Sequence, residues 1–414
     1  MSYPCFPILP DDQDIIERIE WLTDINESWS GEEQRIKLRE LPRRAVEFGF
    51  KLLRYDRSLT DAMLWQNVYR HDDPTSLLKW TVPFWWDLQL LTGDLDAEDT
   101  NIPCTTENYA FVAGGKAVII SATRLYDRKS ALTPDDYEVV TISAVNADSI
   151  DIDPDLDNGW SEGDYIIPAG TGILAGEIAI DDQSLAGKYF TGRARLQCDP
   201  ESINVEGVIM TAFNDYKIFP IETMNQISSI FEDALLAYDN LTGTPNITRR
   251  RLYPPVLFNC QIEFKTRAEI QDFRDYIDEF EGRWQPFWLP SWNHDIRPVS
   301  EGTTQIIHTR EFEYTAYNDY DEVPTSSWRY FALFDGSTLY PKTISDIDDA
   351  GSDVIDIIFG TAAPGNIDVD TYELICFIHF VRMMQDGFDI YHSPNGTARC
   401  SFGAVKLHAD FATG

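Results

Sequence analysis

Basic residues are scarce in this sequence. Its 414 residues carry 33 Lys and Arg against 69 Asp and Glu, a formal net charge of −36. A phosphate-gripping face is excluded as the main feature, because such a surface would repel nucleic acid, and an anionic membrane surface is excluded on the same ground. The acid excess reads as a solvated surface that keeps the chain soluble. It is also compatible with a wall past which nucleic acid slides without sticking. Cysteine is sparse: Cys5, Cys104, Cys198, Cys260, Cys376 and Cys400, none in a C-x-x-C pair. Zinc-ribbon and thioredoxin-like sites therefore have no ligands or nucleophiles, and free buried thiols in a reducing cytoplasm are expected. Only six His occur. H-E-x-x-H, G-x-S-x-G, Walker and G-x-G-x-x-G patterns are all missing, which removes the usual hydrolase, nucleotide and dinucleotide signatures. No apolar run reaches the ~18 residues that span a bilayer. Met1–Pro10 has no basic region followed by an apolar stretch, so no secretory signal is expected.

Aromatic residues, by contrast, are abundant at 13%, with 11 Trp and 19 Tyr. Such side chains supply large contact areas in cores and interfaces. Their placement repeats. Phe6-Pro7-Ile8 recurs as Phe219-Pro220-Ile221. Basic clusters follow: Gln34 to Arg39 with Arg43-Arg44 in one half, Arg249-Arg250-Arg251 in the other. An alternating strand follows each, Val46, Phe48, Phe50 and Leu52 in the first, Phe258, Cys260, Ile262 and Phe264 in the second. A helix comes next. The clearer one has a capping-box pair, Thr266 and Glu269, then the stripe Ile270, Phe273, Ile277 and Phe280, ended by Gly282. The first, over about Asp61 to Arg70, is less regular.

Both helices lead into an aromatic block. Trp80, Phe84 and Trp85 in the first half align with Trp284, Phe287 and Trp288 in the second, an offset of 204 between Trp80 and Trp284. Thr141-Ile142-Ser143 matches Thr343-Ile344-Ser345, and Asp148 to Ile152 matches Asp353 to Ile357. Same element types in the same order at near-constant spacing point to a tandem duplication. The expected modules are 1–215, with a β insertion at about 104–180, and 216–414, with one at about 299–382. Val118–Ile120, Val139–Ile142 and Tyr165–Ile167 read as strands of the first insertion, Tyr330–Phe334 and Leu374–Val381 as strands of the second. The fold class is α+β dominated by β: two sandwich or split-barrel modules, each with one helix and a small all-β insertion.

The run from Thr248-Arg249-Arg250-Arg251 through the strand Leu257–Phe264 and the helix 267–280 to Gly282-Arg283-Trp284-Gln285-Pro286-Phe287-Trp288-Leu289-Pro290 resembles the minor tail protein M family of lambda-type phages, the distal tail proteins of siphophages. The stretch Trp21 to Arg44 resembles tail structural proteins of other long-tailed phages. The resemblance covers about a third of each half, outside the insertions, and family members typically hold one such unit where this chain has two. It implies modules related to the tail-tube subunit and a virion ring at the tail tip, assembled in the host cytoplasm. DNA and the tape measure protein would pass through the lumen without specific binding. Six units per tube ring and two per chain give a homotrimer with pseudo-sixfold symmetry, or a hexamer, touching tail tube and hub proteins and no membrane. No cofactor, metal or catalytic group is expected.

Other readings stay open at this stage. Asp151 to Asp157 with Glu162 has oxygen ligands at calcium-loop-like spacing, but Leu156 stands where a calcium-binding loop needs glycine, and no helices flank it. A polar turn is the plainer reading. His71-Asp72-Asp73 and His294-Asp295 read as loop residues. The Trp, Phe and Pro blocks would suit sugar stacking in a hub or receptor-binding component, or simple core packing. The clusters Arg43-Arg44 and Arg249-Arg250-Arg251 read as subunit-interface cations that pair with carboxylates, against the alternative of solvated strand edges.

Overall fold

The computed structural model describes residues 3–11, 14–27, 33–52, 79–126, 132–176, 178, 180–182, 190–199, 210–223, 228–231, 235–238, 246–249, 256–310, 329–351, 354–368 and 370–407. The expected helix at Asp61–Arg70, His71-Asp72-Asp73, Arg250 and Arg251 lie outside the described residues. What is described is mainly β, organised around a large antiparallel sheet. None of its helices is long and apolar enough to cross a membrane.

The first half contributes β1 (Ile15–Glu20), a hairpin of β2 (Thr23–Glu27) and β3 (Glu33–Lys37), β4 (Arg43–Leu52), β5 (Lys79–Pro83), β6 (Gln89–Leu90), β7 (Asn101–Pro103), β8 (Lys116–Ile120), the single-turn α1 (Ala122–Tyr126), β9 (Tyr137–Val145), β10 (Ser149–Ile152), β11 (Tyr165–Leu174), β12 (Ile180–Asp182) and β13 (Phe190–Cys198). Pairing runs β1–β4–β13–β11. Strand β11 carries β5 along one stretch and β8 along the next, and the insertion continues β8–β9–β10–β7.

The second half contributes β14 (Ala212–Phe213), β15 (Tyr216–Lys217), β16 (Ser228–Phe231), a hairpin of β17 (Leu235–Tyr238) and β18 (Asn246–Arg249), β19 (Val256–Phe264), α2 (Arg267–Phe280), β20 (Phe287–Pro290), β21 (Pro298–Ser300), β22 (Ile306–Arg310), β23 (Tyr330–Phe334), β24 (Leu339–Gly351), β25 (Val354–Phe359), β26 (Leu374–Met383), β27 (Gly387–His392) and β28 (Ala398–Lys406). Its pairings, β16–β19–β28–β26, then β26 with β20 and β23, then β23–β24–β25–β22, repeat those of the first half strand for strand. In each half the long strand, β11 or β26, runs through both the insertion and the main sheet.

The alternation read from sequence sets the cores. Val46, Phe48 and Phe50 face one core, and Phe258, Cys260, Ile262 and Phe264 the other. Helix α2 begins as expected, with the Thr266 side chain accepting from the Glu269 N–H at 3.2 Å. It ends in two positive-φ residues, Glu281 (φ 49°) and Gly282 (φ 69°). Its stripe places Phe273 against Phe264 (5.1 Å) and Phe280 on Phe287 (4.4 Å). The insertions have cores of their own. All six cysteines are free and buried.

The register of the aromatic block differs from the sequence alignment. The Phe6 N–H donates to the Thr81 carbonyl and the Phe219 N–H to the Trp288 carbonyl, each at 2.9 Å. Thr81 and Trp288 therefore occupy one place, an offset of 207 rather than 204. Trp80-Thr81-Val82-Pro83 corresponds to Phe287-Trp288-Leu289-Pro290. A three-residue slip is odd, so it exchanges the faces of every side chain. The reason is local: Trp284 falls in the turn that closes α2, ahead of the strand, and is half-buried under Lys37 at 5.4 Å. Trp80, Phe84, Trp85, Phe287 and Trp288 are buried core residues, whereas Trp284 is not. Ile152 opposite Ile142 likewise matches Phe359 opposite Ile344, two residues from the aligned position. That slip is even and leaves the faces unchanged.

Candidate functional site

The two halves meet along β1. This strand pairs with β4 of its own half on one side and with β27 of the other half on the other. The result is one continuous run of eight strands, β12–β13–β4–β1 followed by β27–β28–β19–β16. Four strands of one half lie edge to edge with their counterparts from the other. The graft reaches the core: Ile19, within the seam strand, and Trp21, just after it, belong to the apolar cluster of the second half, with Trp21 against Phe388 at 6.2 Å.

Alternation along Ile15-Ile16-Glu17-Arg18-Ile19 sets Glu17 on the buried face between two isoleucines, and it is 0% exposed. Its carboxylate accepts from Arg274 Nη2 at 2.7 Å and Nε at 3.3 Å. His392 Nε2 lies at 2.9 Å. Arg44 Nε stands 3.2 Å from the other oxygen, an ion pair without hydrogen-bond alignment. Burial by itself pushes the Glu17 carboxyl up. The charges of Arg274 and Arg44, with the His392 contact, outweigh it and hold the carboxyl well below the usual carboxylate range. Burial pulls His392 below its ordinary value, partly opposed by Glu17. One carboxylate thus lies between two guanidiniums with an imidazole beside it, and Asp87 and Asp275 add negative charge near Arg274.

Around this centre further contacts join the halves. Trp86 stacks on His392 (5.0 Å, 13°), and Phe84 stacks on Trp86. Arg267, at the start of α2, bridges to Asp87 at 2.7 Å and to the Trp86 carbonyl at 2.8 Å. Asp386 receives the backbone N–H groups of Thr23 (2.8 Å) and Arg283 (3.0 Å). Finally the β2–β3 hairpin lies over the second half. Glu33 takes two 2.6 Å hydrogen bonds from Arg382, and Lys37 meets Glu281 at 2.6 Å. A cleft of ≈ 380 Å³ opens at the seam, lined among others by Trp86, Asp87, Arg267, Arg274 and His392. Its cations are already paired, so it offers no free charge to a ligand.

The face of the eight-stranded run turned away from both cores is polar. It bears Arg18, Arg43, Lys51, Arg193, Arg195 and Arg399 against Glu20, Glu47, Asp389 and Glu263. Several are paired, Arg18 with Asp389 at 3.4 Å and Arg193 with Glu47 at 3.1 Å. Among the described residues the acid surplus of the chain does not lie on this face.

The interface arginines read from sequence are dispersed. Arg43 is exposed at the start of β4. Arg44 is engaged within the chain, by Glu17 and over the Phe84 ring at 4.7 Å. Arg249 ends β18, its backbone opposite Leu235. Asp151 lies in β10 and accepts hydrogen bonds from Asn101, its cross-strand partner in β7, and from Asn146. Asp295 accepts from Ser291 and from the Phe377 N–H. Among the described residues no cluster of three or more His, Cys, Asp or Glu could hold a metal ion. Glu17 and His392 were not singled out from sequence. The available signal was a carboxylate on the apolar face of an alternating strand, which demands a buried partner. In comparisons with known proteins, no family model matches this chain and no curated protein matches it.

Proposed function

We propose that this chain is a ring-forming structural component of a long-tailed phage tail tip, continuing the tail tube toward the tip or baseplate around a lumen for DNA and the tape measure protein. One observation carries the reading: a subunit-like joint, β1 against β27, built inside a single chain between two halves whose main strand pairings match. A protein of two such units is one third of a six-unit wall. Three copies make a pseudo-sixfold ring. With strands ~4.8 Å apart and tilted ~40°, three eight-strand runs have a circumference of about 150 Å and a diameter of about 48 Å. Side chains of ~6 Å on each wall leave a channel of about 36 Å, wider than a DNA duplex. Ion pairing on the polar face, Arg18 with Asp389 and Arg193 with Glu47, suits a channel that must not hold DNA, since paired cations displace fewer counterions from phosphates.

Cryo-EM of assembled particles tests this by counting copies. Three copies around a channel of about 50 Å between backbones is the expected result. Six copies would make the ring a true hexamer of about twice that width. Absence of the chain from the tail refutes the reading.

A further inference from the structure

Strand β1 has two partners, β4 and β27. Its counterpart β16 pairs, among the described residues, with β19 alone. Strand β27 has two partners, β1 and β28. Its counterpart β12 pairs, among the described residues, with β13 alone. The eight-strand run therefore ends in one edge of the β1 kind and one of the β27 kind, and those two kinds of edge are what the seam joins. We infer that β16 of one copy of this chain pairs antiparallel with β12 of a second copy, repeating the β1–β27 joint between chains. The inference rests on the ring reading and names the surface that closes the ring. A contact between two unlike edges is heterologous, so it propagates head to tail until it closes. An open strand edge supplies the backbone hydrogen bonds for it.

The seam also fixes the register. Glu17 stands opposite Val46, and Ser229 opposite Phe258, which is the place of Val46 in the second half. Ile390 stands opposite Cys400, and Ile180 opposite Gly192, which is the place of Cys400 in the first half. In the seam Glu17 faces Ile390. Between chains, Ser229 therefore faces Ile180 of the second copy, and Ser228 faces its Asp181. Hairpin β17–β18 is the counterpart of β2–β3 and would overlie the neighbour as β2–β3 overlies the second half.

The two joints differ in chemistry. Ser229 replaces Glu17, and Asp182 stands where His392 does.

Disulfide trapping decides the matter. Antiparallel neighbours have Cα atoms ~4.5 or ~5.5 Å apart, within the range a disulfide spans. The variants Ser229→Cys/Ile180→Cys and Ser228→Cys/Asp181→Cys are assembled into particles, oxidised and run on non-reducing gels. The six native thiols are buried, and each single variant is the control. The expected result is a ladder of dimer and trimer that ends at three, for at least one pair, with the single variants staying monomeric. A ring visible by cryo-EM without crosslinking from either pair overturns the joint and leaves the ring reading standing. Crosslinks confined to the monomer overturn it too, because the chain would then close on itself. Folded variants and wild type that form no ring at all refute the ring reading and the joint with it.

Discussion

Replacing Glu17 by Gln tests whether the seam is held by its buried charges. The carboxylate is 0% exposed, and the side chain of its main partner, Arg274, is 3% exposed. Gln keeps the shape and removes the charge, leaving the buried Arg274 guanidinium without its hydrogen-bonded counter-ion, with only the more distant charges of Asp87 and Asp275. Breaking one partner of a buried pair costs about 3–5 kcal/mol. At 2–4 °C per kcal/mol for units of this size, the melting temperature should fall by roughly 6–20 °C. The double variant Glu17→Gln/Arg274→Met removes both charges of this pair and should recover about 1–3 kcal/mol of the loss, since buried pairs gain little over apolar replacements, while Arg44, 13% exposed, still loses its carboxylate. Arg193→Ala, which removes an ion pair whose arginine side chain is 68% exposed, should change stability by less than about 1 kcal/mol. Calorimetry gives the melting shifts, and urea titration read by Trp fluorescence gives the free energies. Trp86, stacked on His392, reports on the seam. Because Ile19 and Trp21 from the first half sit in the core of the second, both halves should lose stability together. A Glu17→Gln variant within 1 kcal/mol of wild type would refute the argument, as would a double variant no better than the single.

Acid should act at the same place. Glu17 is held below its unfolded pKa, so its contribution is complete above the unfolded value of ~4.3 and is lost as pH falls through the folded one. His392 is also held below its ordinary 6.5, so the unfolded chain takes up that proton first and stability begins to fall below about pH 6.5. Melting temperatures from pH 7.5 down to 3 should decline in that order, and His392→Asn should flatten the upper part. Trp288→Ala should cost about 3–5 kcal/mol, since Trp288 is wholly buried, whereas half-buried Trp284 should cost about 1 kcal/mol on the same change. Equal losses in urea titrations would restore the 204 offset. Gly282→Ala places a methyl 2.8 Å from Asp386 Oδ1 and 3.2 Å from the Trp21 Cβ, at φ +69°. It should lower stability by at least about 1–2 kcal/mol by calorimetry. Arg382→Ala leaves Glu33, 9% exposed, without its two hydrogen bonds. Limited proteolysis should then cut the β2–β3 hairpin several-fold faster, and unchanged cleavage would count against its docking on the second half.

Local features of the chain were legible because they depend on near neighbours. Period-two alternation placed Val46 to Phe50 and Phe258 to Phe264 on their core faces. A capping residue, an apolar stripe and a glycine bounded α2 at residues 267 and 280 as read. Thr141 and Thr343 do hold equivalent positions, opposite Lys116 and Tyr330 in matching strand pairs. The aromatic blocks misled because residue similarity does not report register. The helix C-terminal turn absorbs Trp284, and the strand starts three residues later than the text suggests.

The sequence alone determined the strands, the repeat of their order and the charge of the surface, since each follows from periodicity or composition. The tertiary structure decided what β1 pairs with, and so where the halves join. That choice sets Glu17 beside Arg274 and His392, 257 and 375 residues away. No local pattern encodes such partners. They are selected only when a carboxylate caught on an apolar face must find its counter-charges as both cores close around it.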